Sequence, residues 1–498
     1  MKRYIEYIEE ITENQLYRAL VGYGLFSEKI PPCFTSIEFM EYCLSKKNNF
    51  ANREYNFVSY DSIRNINIPR QLSIPTPMAY ERLCKCITEY WDKIIEHFKR
   101  CTDNQKFKVS RIHIRKMKNK ESIFEMNYSD WRMDGTPTSK LAIGMRYRVN
   151  ADIAKCFPSI YTHSISWALV GKEASKNNRH GNKWYNKLDK ACRNIKCGET
   201  NGIMIGPHVS NIISEIILCK IDEQLISSGW RYVRNIDDYT AYVKSEEDAG
   251  KFLIELQASL KEYNLQLNHK KTKVFKLPQA SSEVWTREIN MMSLSNNQGK
   301  VDYNICRRYL DNAIEIATKE NDNASVYKYA IKVLNGMKLT ANAKMYEQDV
   351  VFHLALIYPY VVPLLHQYVF KSCDTNPKDV RYIANAVYEE YFPKLIYEAA
   401  SYSIYWCIIY DITLDKIDVE EIIESKDCII LVLAYIYFKK KKDNYSCDKL
   451  VEYAEILALD DDEFERNWIF TYEVLPEKKL VGEWKELKRN KVSFLKFD

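Results

Sequence analysis

Glycine and proline are scarce in this chain, at 14 each among 498 residues. So few helix breakers argue for many helices and few long loops. A long hydrophobic run is missing as well. The longest, Cys428 to Phe438, is too short to span a bilayer and reads as a buried helix, so no membrane partner is expected. A signal peptide is not expected either, because Met1 opens a charged, helix-like stretch. The 14 cysteines lack metal-ligand spacing. Cys84-Lys85-Cys86 is a CxC, and Cys192 and Cys197 lie five apart, but no matching Cys/His pair follows either, which argues against zinc. Free thiols fit a reducing, bacterial-type cytoplasm. Strong net charge is absent too: a formal +5 permits nucleic-acid binding without demanding it.

The rest of the composition is that of an ordinary globular protein, with 46% hydrophobic and 28% charged residues. The length allows two or three domains. Tyrosine is abundant, at 37. Tyrosines serve as amphipathic packing residues and, in some settings, as platforms for bases. Positive charge clusters in Lys106 to Lys120, which contains Lys108, Arg111, Arg115, Lys116 and Lys118. A solvated face is the plain reading of such a run, and a phosphate-contacting finger the sharper one.

Along the chain, residues 1–50 read as amphipathic helix, with Ile5, Ile8, Ile11, Leu16 and Leu20 as its apolar positions. Ile68 to Pro77 is proline-punctuated and extended, and the spacing of Leu83, Ile87, Tyr90, Trp91, Ile94 and Ile95 predicts one helix over Met78 to Arg100. From Arg146 to Tyr242 strands alternate with helices. Strands are expected at Tyr147 to Ile153, at Tyr232-Val233, at Tyr239 to Val243 and at Leu265 to Asn268. Helices are expected at Thr162 to Val170, at Val209 to Leu225 and from an N-cap at Ser245. This order suits an α+β palm. Gln279 to Ser282 and Ser293 to Gly299 read as linkers, and beyond them the sequence is almost wholly helix-like. The expected organisation is an α+β palm and fingers over residues 1–285, with an N-terminal helical segment, then an all-α, repeat-like domain over 286–498.

Two segments carry chemistry. Asn150 to Ile160 places Asp152 at the end of an apolar strand, and Arg234-Asn235-Ile236-Asp237-Asp238-Tyr239 sets two carboxylates between apolar strand residues. Asp-Asp alone reads most plainly as a hairpin turn. An Asp-x-x-x-x-Phe after one strand, with Asp-Asp in a later apolar hairpin, is far more specific. Carboxylates from separate strands, with the Ile153 carbonyl beside them, are oxygen ligands suited to two Mg²⁺ ions, with Mn²⁺ as a substitute. Phe157, five residues after Asp152, could close against a sugar C2′ and exclude a 2′-hydroxyl; a core aromatic is the plainer reading. Gly202 to Asn211 is a glycine-punctuated loop running into a helix. Gly206 and Pro207 allow close approach of a nucleotide, and Ser210 can face the site from the first helical turn. Lys271, in Asn268-His269-Lys270-Lys271-Thr272, either protonates a departing pyrophosphate or is merely solvated.

In this order the segments resemble motifs A, B, C and D of reverse transcriptases. Tyr161 to Ala168, then Gly171-Lys172 and Lys176-Asn177-Asn178-Arg179, resemble abortive-infection reverse transcriptases of the AbiK type, nearest to the form carried by P2-type prophages. The specific match covers roughly residues 140–275, with a weaker one at Arg466 to Phe470. The resemblance implies a palm with shortened fingers and a HEAT-like helical domain in place of a thumb. It also implies template-independent synthesis from dNTPs, a single-stranded DNA product attached to a tyrosine of the protein, homo-oligomers (trimer or hexamer) and a role in antiphage defence. Asp152, Asp237 and Asp238 carry over as metal-binding residues, Phe157 as the sugar selector, and Arg111 and Arg115 as basic fingers residues. The residue two before the doublet, usually aromatic in reverse transcriptases, is Asn235, which puts contact with a primer strand in doubt. Candidates for the priming tyrosine are Tyr4, Tyr7, Tyr17 and Tyr23, all before the palm. The competing readings are a catalytically silent palm-like scaffold that binds nucleic acid or a phage protein, and an ordinary RNA-templated reverse transcriptase. No maturase or endonuclease motif accompanies the chain to favour the latter.

Overall fold

The computed structural model describes residues 4–46, 50–65, 68–103, 122, 137–178, 182–292, 294–295 and 299–497. The basic run with Arg111 and Arg115 lies outside the described residues, as do Arg179 and most of the linker from 293 to 299.

The N-terminal region forms three short helices, Tyr4–Glu9, Glu13–Tyr23 and Ile37–Ser45. The second begins at a reciprocal cap. The Thr12 hydroxyl accepts from the Gln15 N–H while the Gln15 side chain accepts from the Thr12 N–H. Ile5, Ile8, Ile11, Leu16 and Leu20 are all buried, as their spacing implies. A hairpin follows: β1 (Phe57–Ser62) pairs antiparallel with β2 (Arg70–Pro75), Val58 opposite Ile74. The segment after it is two helices, Pro77–Glu89 and Trp91–Thr102, rather than one. Tyr90 leaves helical geometry at φ −115°, ψ 20°, and the break turns Trp91 into the core, where its indole N–H donates to the Ile11 carbonyl. Unbroken helical periodicity cannot reveal a one-residue kink of this kind.

The palm is a four-stranded antiparallel sheet in the order β4–β5–β3–β6, with β3 Tyr147–Asp152, β4 Tyr232–Asn235, β5 Asp238–Val243 and β6 Lys273–Lys276. Along β3, Val149 and Ala151 are buried while Arg148 and Asn150 are half-buried, the alternation of a sheet with one covered face. The fourth strand is Lys273–Lys276, not Leu265 to Asn268. The latter makes a single bridge, Leu267 with Ile153, because Leu265 and Leu267 bury themselves as a connector behind a left-handed Asn264. Helix Glu246–Glu262 starts where expected, the Ser245 hydroxyl accepting from the Asp248 N–H at 3.1 Å. It packs against the sheet beside helix Val209–Ser227, which is apolar on nearly all sides and buried accordingly.

From Val284 onward the chain is helical apart from short connections. The apolar run is explained within the chain itself: helix Cys428–Lys441 buries Cys428 to Ala434, Tyr437 and Phe438. Its hydrophobicity therefore gives no support to an oligomer. These helices close on the β1–β2 hairpin. Glu465 accepts from the Asn56 N–H at 2.7 Å and pairs with Arg53, Trp468 donates to the Ile74 carbonyl, and Glu398 accepts from the Ile63 N–H. Among the described residues, buried side chains before and after residue 285 form one continuous core.

Candidate active site

β3 ends at Asp152, and the chain turns away through Lys155, whose φ is +46°. β4 and β5 pair so that Asn235 faces Asp238, leaving Ile236 and Asp237 as a two-residue turn. β3 lies against β5 with Asp152 opposite Asp238. This register gathers the three carboxylates, and one oxygen from each of Asp152, Asp237 and Asp238 lies within 4.8 Å of the others. The Ile153 N–H donates to the Asp237 carbonyl at 3.2 Å, tying the two motifs together through the backbone.

The cluster is electrostatically loaded. Burial pushes the Asp238 carboxyl up to about 7, reinforced by the Asp237 charge and by a hydrogen bond with Asp152. Asp237 is also raised, first by burial, with the charge of Asp152 adding to it and the Lys271 and Arg70 cations pulling the other way. Crowded carboxylates that resist ionisation together are a donor set that a divalent cation relieves. Their all-oxygen composition fits Mg²⁺ or Mn²⁺. Lys271 reaches back to Asp152, Nζ to Oδ2 3.2 Å, and Asn268 Nδ2 donates to the same oxygen at 2.9 Å. The backbone turn from Asn268 to Thr272 folds that lysine over the cluster.

Phe157 and the glycine loop meet. The Phe157 carbonyl accepts from the Ile203 N–H at 2.9 Å, and the Ile160 carbonyl from the Gly202 N–H at 2.8 Å. Gly202 has φ +79°, and a Cβ there would lie 2.8 Å from the Pro158 carbonyl oxygen, so only glycine fits. On the other side the Ser73 N–H of β2 donates to the Ile205 carbonyl at 2.9 Å, and a Cβ on Gly206 would meet the Ser73 oxygen at 2.9 Å. The loop thus clamps the hairpin to the palm. Pro207 and Ser210 are buried, and the Ser210 hydroxyl has no hydrogen-bond partner among the described residues. The Asn235 side-chain oxygen is likewise without one. Of the tyrosine candidates, Tyr17 donates to Glu81 at 2.8 Å, and burial raises its hydroxyl far above the ordinary range. Tyr7 and Tyr23 are half-buried.

Four further residues shape the site without a signal strong enough to single them out in the sequence. Arg70, on β2, bears electrostatically on Asp237 from the hairpin. Arg234, wholly buried, forms ion pairs with Glu215 and Asp222. Glu215 and Asp222 stand seven apart, two turns on one face of an otherwise apolar helix, and that spacing was the available signal.

A sheet that gathers three carboxylates at the mouth of a hairpin turn, with a lysine folded over them, defines a nucleotidyltransferase of the polymerase palm class. The profile of the family Reverse transcriptase (RNA-dependent DNA polymerase) matches residues 78–334, and the chain belongs to that family. It covers the sheet, the carboxylates and the glycine loop, and continues into the helices after residue 285. Among solved structures, apo telomerase from Candida tropicalis aligns at 11% identity and TM-score 0.33, over 75% of this chain and 69% of that one. Telomerase from Candida albicans in complex with a fragment of telomeric RNA aligns at 12% identity and TM-score 0.28, over 76% and 71%. A C-terminally truncated apo telomerase from Candida tropicalis aligns at 12% and 0.29, and there the chain spans only 53% of that structure's length. No curated protein sequence matches the chain. Among the described residues no helix is long and apolar enough to cross a membrane.

Proposed function

We propose that the chain is a DNA polymerase that joins dNTPs by phosphoryl transfer at Asp152, Asp237 and Asp238. The observation that carries this is the convergence of the three carboxylates within 4.8 Å, from two strands and one turn. Two Mg²⁺ ions, or Mn²⁺ in their place, would supply activation of the attacking hydroxyl and neutralisation of the leaving pyrophosphate. Asp152 and Asp237 would hold them, with Asp238 and the Ile153 carbonyl completing the oxygen set. Phe157, anchored by its backbone to the glycine loop, would stand against the sugar. Gly206, Pro207 and Ser210 would shape the wall for the base. Lys271, already at Asp152, would give a proton to the departing pyrophosphate, and Arg70 would meet the triphosphate from the hairpin. We place the functional boundary near residue 285, with the helices beyond it bracing the hairpin.

The finer reading is template-independent, tyrosine-primed synthesis in the antiphage abortive-infection role of the AbiK type, by a trimer or hexamer in the bacterial cytoplasm. It is supported by the resemblance of Tyr161 to Asn178. Among the primer candidates Tyr17 is a poor nucleophile, since its hydroxyl is bonded to Glu81 and resists ionisation.

The test is incubation of the purified chain with Mg²⁺ and labelled dNTPs, without template or primer, followed by a denaturing protein gel. A labelled smear above the protein is expected. Free labelled DNA beside unmodified protein would overturn tyrosine priming. Label only when RNA and a primer are added would make it an ordinary reverse transcriptase. No label under any condition would leave a silent scaffold. Mass spectrometry of nuclease-trimmed product locates the primer, and light scattering gives the oligomeric state.

A further inference from the structure

Away from the carboxylates, a cavity of about 470 Å³ opens between helix His163–Val170 and helix Trp184–Asn194. Its lining combines three chemistries. Tyr161 and Trp167 present aromatic rings, with centroids 5.6 Å apart. Lys187, Lys190 and Arg193 follow one another at i, i+3 and i+6 on one helix, and Lys176 joins them from the facing side. At about 1.5 Å rise per residue these three cations form a row about 9 Å long. The third chemistry is an incompletely used acid. Asp189 is buried and donates nothing; one of its oxygens accepts from or pairs with His163 Nδ1 at 2.6 Å. Its other oxygen, Oδ1, is buried and forms an ion pair with Arg193 Nε at 3.7 Å but accepts no hydrogen bond. A buried carboxylate oxygen with no donor is costly unless something supplies one.

Aromatic faces, a row of cations and a buried carboxylate oxygen that accepts no hydrogen bond together match one ligand chemistry, a nucleoside phosphate. A base stacks on the ring of Trp167 or Tyr161, its exocyclic amino group donates to Asp189 Oδ1, and its phosphates meet the lysines. The row favours consecutive phosphates over a single group. The cavity also joins the catalytic loop directly: Tyr161 bridges Asn201, and the Thr162 N–H donates to the Thr200 carbonyl at 2.9 Å, just before Gly202.

We propose that this cavity is a second nucleic-acid site, which grips single-stranded nucleic acid by one stacked base and the phosphates beside it. The proposal deepens the polymerase reading by naming where a strand is held, and it is tested apart from catalysis. The probe is fluorescent single-stranded DNA of about 20 nucleotides carrying 5-iododeoxycytidine, whose base keeps an exocyclic amino group, bound to the full chain in EDTA so that no synthesis occurs. Photocrosslinked peptides should include Tyr161 to Trp167, and the Trp167→Ala variant should lose that adduct. The exposed double variant Lys187→Glu/Lys190→Glu, which leaves the core untouched, should raise the dissociation constant by about tenfold and flatten its salt dependence. Millimolar dATP should not displace the strand. Crosslinks confined to other peptides, or unchanged affinity in the lysine variant, would overturn the site. Displacement by micromolar dATP would overturn the strand in favour of a free nucleotide. The Asp237→Ala variant should crosslink like wild type, so failure of the polymerase reading would leave this result standing.

Discussion

The buried Arg234 guanidinium donates to the carbonyl of Ile236, 2.9 Å from Nη1. Ile236 occupies the left-handed region at φ +56°, an uncommon position for a β-branched residue that stores about 1–3 kcal/mol of strain. It is the first residue of the turn that carries Asp237, with Asp238 directly after. The same guanidinium is held by Asp222 Oδ2, at 2.9 Å from Nε and 2.6 Å from Nη2, and by both oxygens of Glu215, at 3.0 and 3.1 Å. Tyr232 donates to the remaining Asp222 oxygen at 2.8 Å. The turn is therefore fixed from below by a planar donor that neighbouring carboxylates lock in orientation, so the two crowded acids are presented in a fixed geometry.

Arg234→Lys should fold but lose metal affinity. One ammonium cannot span both carboxylates and still reach the Ile236 carbonyl. The metal concentration for half-maximal incorporation should rise by about tenfold or more, as when a group that orients metal ligands is removed. Arg234→Met should instead destabilise by about 3–5 kcal/mol, since it strands two buried carboxylates. An Arg234→Lys enzyme with an unchanged metal titration would sink the idea.

Asp237→Ala and Asp152→Ala should each abolish incorporation while circular dichroism and melting stay near wild type. Loss of a ligand removes charge neutralisation for which the remaining side chains have no substitute. Removing a repelling carboxylate should if anything raise the melting temperature slightly, because Asp237 is raised by burial and by its neighbour. Full incorporation by either folded variant would refute the assignment.

Phe157→Ala should raise the use of ribonucleotides relative to deoxynucleotides. The ring is half-buried and its backbone is pinned to the glycine loop by the Ile203 N–H, so truncation opens space without freeing the chain. Incorporation from paired rNTP and dNTP titrations gives the ratio. A folded, active variant with an unchanged ratio would return Phe157 to a packing role.

The palm was legible in the sequence because its information is local. Strand alternation, two carboxylate motifs and a glycine loop each announce themselves within about ten residues. β1 was not, because Phe57–Ser62 becomes a strand by pairing with β2 across a gap and by packing under helices such as Trp468–Val474, hundreds of residues away. The mistaken strand at Leu265 to Asn268 failed for the same reason. Leu265 and Leu267 alternate as a strand would, yet the edge of β3 is taken by Lys273–Lys276, whose residues are mostly exposed. Arg234 was passed over because a charged residue inside an apolar strand has no meaning until the helix that neutralises it is in place.

Glu398 ties the C-terminal helices to the hairpin, accepting from the Ile63 N–H just beyond β1. Burial pushes its carboxyl up to about 7, opposed by the Ile63 and Ser62 hydrogen bonds and by the Lys29 and Lys328 cations. The folded state thus holds this proton more tightly than the unfolded chain, where a glutamate titrates near 4.3. Below about pH 4 both states keep the proton, and above about pH 7 neither does; between these limits only the folded state binds it, so stability falls as pH rises through the window. Glu398→Gln keeps a neutral acceptor for Ile63 and removes the charge. Its melting temperature should match wild type near pH 5 and exceed it near pH 8, with most of the gain appearing between the two. Other buried acids, Glu347 among them, titrate in both proteins and cancel in the difference. A gap that stays constant with pH, or a variant less stable at alkaline than at acid pH relative to wild type, would mean that Glu398 is ionised in the fold and held by its lysines.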